Sequence, residues 1–78
     1  MGKIMRIFDA KSFGAAVRMY RTKRGVTQIQ LAAVANTGVR FIGDLENGKP
    51  TVQIDKALKV AKILGIKIEI PDIEGDDK

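Results

Sequence analysis

The chain is 78 residues long, 45% hydrophobic and 29% charged, with a formal net charge of +5 and no histidine, cysteine or tryptophan. That length supports one domain with a thin margin of stability, so added burial against a second copy of the chain is a reasonable expectation. Without cysteine there is no disulfide framework, thiolate zinc site or thiol nucleophile, and no apolar run approaches the roughly 20 residues that span a bilayer.

Residues 1–8 form an N-terminal arm or short strand in which Lys3 and Arg6 stand among apolar residues. The arm lacks the apolar stretch and small-residue cleavage site of a signal peptide, so the expected location is cytoplasmic. Asp9 then caps a first helix whose Phe13, Val17 and Tyr20 recur at helical spacing with Ala16 beside them, while Lys11, Arg18 and Lys23 point elsewhere. Gly25 stops it. Thr27 is a good N-cap for a short second helix with a stripe of Leu31, Ala32 and Ala35, ending at Asn36. Asn36 tolerates the left-handed conformation of a sharp interhelical turn, so Thr37 or Gly38 starts a third helix with Phe41, Ile42 and Leu45 inward. Asn47-Gly48 stops that helix.

Thr51 is read as the cap of a fourth helix with Ile54, Ala57, Leu58, Ala61 and Leu64 at core spacing, closed by Gly65. The period then changes: "IKIEI", residues 66–70, alternates strictly, which predicts a strand with Ile66, Ile68 and Ile70 on one face. A lone strand leaves its backbone unpaired. Its mate is either "KIMRIF" at the N-terminus or the same strand of a second copy, and a two-fold homodimer is favoured. Residues 71–78 read as an acidic disordered tail after Pro71. Asp72, Glu74, Asp76 and Asp77 face only Lys78 there, which leaves 13 basic and 5 acidic residues on positions 1–71, net +8. Such a balance suits a polyanion, nucleic acid first and an anionic membrane second, although lysines also serve solubility alone.

The succession "FGAAVRMYRTKRGVTQ", "TQIQLA", "RFIGDLENGKPT" and "LKVAKILGIKIEI" resembles the Xre-type helix-turn-helix family, which includes the phage repressors, and within it the HipB-like antitoxins. The resemblance runs from about Phe13 to Ile70, its motifs in family order. It implies a mainly α, compact four- to five-helix lambda-repressor-like domain over residues 9–65, with 66–70 pairing across a homodimer. Asn36 stands where the family usually has glycine, Gly38 replaces the usual Ser or Thr at the start of the third helix, and Gly43 lies within it.

In a helix-turn-helix the early exposed positions of the second motif helix enter the major groove. Here Val39, Arg40, Gly43 and Asp44 are the candidates for base contact. Arg40 can fork onto the O6 and N7 of guanine, and Val39 can pack on a thymine methyl or simply within the protein. Asp44 either accepts from cytosine N4 or orients Arg40 one turn earlier. The resemblance assigns Gln28 to a backbone phosphate, with Thr27 and Gly38 beside it, Thr27 being chiefly a cap; it assigns Asn47, Lys49 and Thr51 to another phosphate. Arg21 and Glu46 match the family's internal ion pair, a structural and not a catalytic feature. Lys56, Lys59 and Lys62 form a basic stripe on the fourth helix, read as a solvated face before a DNA contact.

No catalytic residue, metal site or cofactor is expected, and the chain is not read as an enzyme. The expected function is a homodimeric repressor on a palindromic double-stranded operator. The antitoxin resemblance adds a HipA-like Ser/Thr kinase toxin as partner, in an operon the protein autoregulates. The alternatives are a stand-alone Xre or phage-type repressor, and a protein-interaction module that neutralises a partner without specific DNA reading.

Overall fold

A computed structural model describes residues 5–72. Four helices follow one another: α1 (Ala10–Lys23), α2 (Gln28–Ala35), α3 (Val39–Glu46) and α4 (Ile54–Leu64). There is no fifth among the described residues. The acidic tail beyond Asp72 and the first four residues of the arm lie outside that range.

Local chemistry sets the helix ends. Asp9 accepts from the backbone N–H of Ser12 at 2.8 Å, and Ser12 Oγ in turn accepts from the N–H of Asp9 at 3.2 Å, so two N–H groups that a helix start leaves unpaired are satisfied together. These contacts hold the Asp9 carboxyl below its ordinary range, the Ser12 backbone hydrogen bond first and its side-chain bond second. Thr27 and Gln30 repeat the device on α2: Gln30 N–H donates to Thr27 Oγ1 at 3.0 Å and Thr27 N–H to Gln30 Oε1 at 2.9 Å. Asn36 closes α2 in the left-handed region, φ 56° and ψ 50°, and Gly65 closes α4 at φ 82°.

The core is a single cluster. Val17 of α1, Leu31, Ala32 and Ala35 of α2, Ile42 and Leu45 of α3, and Ala57, Val60 and Leu64 of α4 are buried in it. Phe13, Tyr20, Val26, Phe41, Val52 and Ile66 pack around its edge. Tight approach of α1 to the end of α3 depends on Gly14, where a Cβ would stand 2.2 Å from the Leu45 carbonyl oxygen. The helical spacing in the sequence did not single out this residue.

The start of α4 departs from expectation. Thr51 does not cap it: Gln53 is the N-cap and makes no side-chain cap bond, while Thr51 lies in the preceding turn. Pro50 lacks an N–H and disfavours helix at Lys49, so the chain turns through 50–52 before α4 begins. Nor are Ile54 and Leu58 core residues: they are 73% and 44% exposed, while Val60 takes an inward place. The buried face runs Ala57, Val60, Ala61, Leu64, and Val52 packs against the core from the loop.

Residues 66–70 form no strand in the single chain, and Met5–Phe8 do not pair with them. Ile66 is half-buried against the core, but Ile68 and Ile70 are 52% and 88% exposed. The alternation needs a ladder partner, and the described residues of one copy hold none. Between the terminal segments and α4 runs an apolar groove of about 570 Å³, bordered by Phe8, Ile54, Leu58 and Ile68.

Candidate nucleic-acid interface

Two helix starts meet at one side of the molecule. The turn between α2 and α3 is pinned by Thr37 N–H donating to the Ala32 carbonyl at 2.9 Å and Asn36 N–H to that of Ala33 at 3.2 Å. α3 then opens at Gly38, with φ −79° and ψ 153°, and no side chain caps it. Buried Ile42 and Leu45 anchor α3 from beneath, which leaves Val39 45% exposed and Arg40 exposed on its outer face. A shallow concavity joins Val39 to Thr27, Gln28 and Ile29 at the start of α2. Ile29, 70% exposed there, was not singled out by the sequence reading, which followed only the inward stripe of α2.

Gly43 lies on α3 between these positions and the helix end, and a Cβ there would meet nothing within 4 Å. No packing among the described residues requires this glycine. Asp44 is not placed to orient Arg40: its Oδ2 pairs with Lys49 Nζ at 3.6 Å, and its carbonyl accepts the Lys49 N–H at 3.0 Å. The chain doubles back after Asn47, which brings Lys49 to Asp44 more closely than the helical spacing brings Arg40. Asn47 is the exposed C-cap of α3, donating its N–H to the Gly43 carbonyl at 3.0 Å. Lys49 and Thr51 follow it on the exposed connection to α4. Lys56 of the basic stripe lies 5.9 Å from the centre of the Phe41 ring, while Lys59 and Lys62 are exposed.

Behind this surface Arg21 and Glu46 form the expected ion pair. Arg21 Nε and Nη2 donate to the two oxygens of Glu46 at 2.5 and 2.9 Å, and Nη1 donates to the Val26 carbonyl at 2.8 Å. The Glu46 side chain is only 2% exposed. Burial pushes its carboxyl up, but the hydrogen bonds from Arg21 and Gln28 and the charges of Arg21 and Arg18 outweigh that and hold it below the ordinary range. Arg21 is raised in turn, chiefly by its hydrogen bond to Glu46. The Gln28 contact was missed by the sequence reading: Gln28 Nε2 donates to Glu46 Oε1 at 3.0 Å. Nothing in the spacing of residues 28 and 46 signals it.

Among the described residues no group of three potential ligands gathers as a metal would need, and no helix is long and apolar enough to cross a membrane. Residues 17–70 match the helix-turn-helix family model. The chain is 49% identical over 65 residues to the uncharacterized HTH-type transcriptional regulator y4mF of Sinorhizobium fredii (strain NBRC 101917 / NGR234), covering 83% of this chain and 86% of that one. Its fold is similar to that of the HipB-O4 20mer complex, with a TM-score of 0.78 at 20% identity over 91% of this chain and all of the other. A HipA-HipB-O2-O3 complex gives the same TM-score, identity and coverage. The turn geometry, the matched family and the relative agree, and the chain belongs to the Xre-type helix-turn-helix family of transcriptional regulators.

Proposed function

We propose that the protein is a homodimeric, sequence-specific DNA-binding repressor that inserts the start of α3 into the major groove. The observation that carries this reading is the uncapped, exposed opening of α3 at Gly38, Val39 and Arg40, held out by the buried Ile42 and Leu45. Arg40 reads guanine, Val39 meets a thymine methyl, and the open space at Gly43 admits close approach. Gln28 with the free N–H groups at the start of α2 grips one phosphate, beside Thr27 and Gly38. Asn47, Lys49 and Thr51 grip another. Asp44 pairs with Lys49 and restrains that lysine beside the DNA backbone.

The dimer forms through residues 66–70. A two-fold axis at Ile68 sets each Lys67 opposite Glu69 of the second copy and each Ile66 opposite Ile70, so the segment is complementary to itself in charge and in apolar pattern. Pairing would also cover the exposed Ile68 and Ile70. The two recognition helices then address successive major grooves of a palindrome, about 34–36 Å apart.

The fold shared with HipB, which occurs in complex with HipA, supports a role as the antitoxin of a HipA-like kinase in an operon that the protein autoregulates. A kinase-like reading frame beside the gene, whose product co-purifies with this chain, is the expected finding. The DNA reading is tested by binding to a labelled fragment of the protein's own upstream region against scrambled DNA at two salt concentrations. Preference for the upstream fragment that Arg40→Ala abolishes supports it; equal, weak binding to both DNAs with the variant unchanged returns the chain to a partner-neutralising module.

A further inference from the structure

Gln28 occupies the first position of α2, and its amide reaches inward to a carboxylate from another helix. Glu46 Oε1 accepts from Gln28 Nε2 at 3.0 Å while both Glu46 oxygens are already engaged by Arg21. A carboxylate only accepts hydrogen bonds, so the amide must turn its NH2 end toward Glu46. An amide facing water has no such preference between its two ends. Here the ambiguity is removed by a buried, ionised group fixed in turn by Arg21, whose remaining arm is tied to the Val26 carbonyl.

The Nε2 nitrogen carries two hydrogens and Glu46 uses one. The other remains on a half-buried side chain at the end of α2. The start of α2 has its own free donors: Thr27 Oγ1 satisfies the N–H of Gln30, whereas those of Gln28 and Ile29 precede the first residue that can bond back within the helix. We infer that Glu46 is a positioning residue for phosphate binding, fixing the Gln28 amide so that its second Nε2 hydrogen joins the backbone donors of α2 on a DNA phosphate oxygen. This deepens the DNA-binding reading and rests on it. It also gives the Arg21–Glu46 pair a task beyond joining α1 to α3. A glutamine released from Glu46 would spend part of its time with its oxygen toward the phosphate, where two acceptors repel.

The test is a double-mutant cycle on binding to the protein's upstream fragment. Arg21→Met with Glu46→Leu removes the ion pair as a unit and leaves no buried charge orphaned, and Gln28→Ala removes the amide. Gln28→Ala is expected to weaken binding about tenfold, the scale of one hydrogen bond to a charged group, and the apolar pair by a smaller factor, because its freed amide still donates part of the time. Combined, they should weaken binding no more than Gln28→Ala alone, because that change already deletes the contact the apolar pair loosens. Losses that multiply, or an apolar pair that binds like the wild type, overturn the inference while leaving DNA binding intact. Wild-type protein with no preference for its own fragment overturns the DNA reading and the inference together.

A second measurement needs no variant and stands if the apolar pair fails to fold. In the NMR spectrum of the wild type, the side-chain NH2 protons of Gln28 should exchange with water more slowly than those of exposed Gln53, and should shift when the DNA fragment is added. Exchange as fast as that of Gln53 overturns the inference.

Discussion

Gly14 of α1 lies directly beneath the backbone of Leu45 and Glu46, so close that a Cβ would stand 2.2 Å from one carbonyl oxygen and 2.9 Å from the next. Neither obstacle is the end of a flexible side chain; both belong to the last turn of α3. Gly14→Ala must therefore push α1 and α3 apart, and overpacking of this kind costs about 1–3 kcal/mol. Gly43→Ala is the contrasting case, since its Cβ meets nothing and alanine favours the helix by up to about 1 kcal/mol. Urea unfolding of the two variants should move the midpoint in opposite directions. If the Gly43 variant is more stable and yet binds DNA less well, the open space serves a partner and not the fold.

The buried pair predicts how stability responds to acid. Glu46 is held below its ordinary range by the bonds from Arg21 and Gln28, so the folded state binds a proton there less readily than the unfolded chain does. For a depressed carboxyl the stabilisation is complete above the unfolded value, about 4.3, and is lost as pH falls through the lower folded value. Denaturation midpoints should fall as pH drops below about 5, and the apolar replacement of Arg21 and Glu46 should flatten that dependence. Asp9 titrates in the same sense, so some slope will persist. Removing only Arg21 is the severe change: it leaves Glu46 buried without its cation and should cost about 3–5 kcal/mol.

Much of this fold was legible because its information is local. Asp9, Thr27, Asn36 and Gly65 mark helix ends through their own side chains or backbone preferences, and each does so in the structure. Thr27-x-x-Gln30 even carries the reciprocal cap as a readable pattern. What escaped reading depends on where the chain returns. Ile54 has the same spacing to Ala57 as a core residue would, but it stands 73% exposed while Val52 of the preceding loop packs against the core. Asp44 has a helical neighbour in Arg40, yet the turn after Asn47 brings Lys49 to it. The Gln28–Glu46 bond joins residues from two helices whose relative placement only packing decides.

The Asp44–Lys49 contact bears on DNA binding more than on stability. At 3.6 Å, with the two side chains 34% and 51% exposed, it is an ordinary surface pair, worth less than about 1 kcal/mol. Asp44→Asn should therefore leave the unfolding midpoint nearly unchanged. It removes a negative charge close to where phosphate would lie and releases Lys49, so DNA affinity should rise at low salt. Lys49→Ala should weaken binding to all sequences alike and reduce the slope of log affinity against log salt by about 1. A change in sequence preference for either variant would place these residues at base edges instead.

The dimer proposal makes the sharpest demand on charge. With a two-fold axis at Ile68, Lys67→Glu alone sets a glutamate opposite Glu69 of the second copy, twice over in the symmetric pair. Like charges directly opposite destabilise a strand pair by about as much as opposite charges support it, up to about 1 kcal/mol per pair. The variant should shift sedimentation equilibrium toward monomer. Reversing both residues, Lys67→Glu with Glu69→Lys, restores opposite charges at both positions and should restore the dimer, although the composition near the strand is unchanged from wild type. If the swapped chain stays monomeric, or if neither change moves the equilibrium, the axis does not pass through Ile68. Ile68→Lys separates those outcomes, because a charge on the exposed apolar face should dissolve any dimer built on this segment, whatever its register.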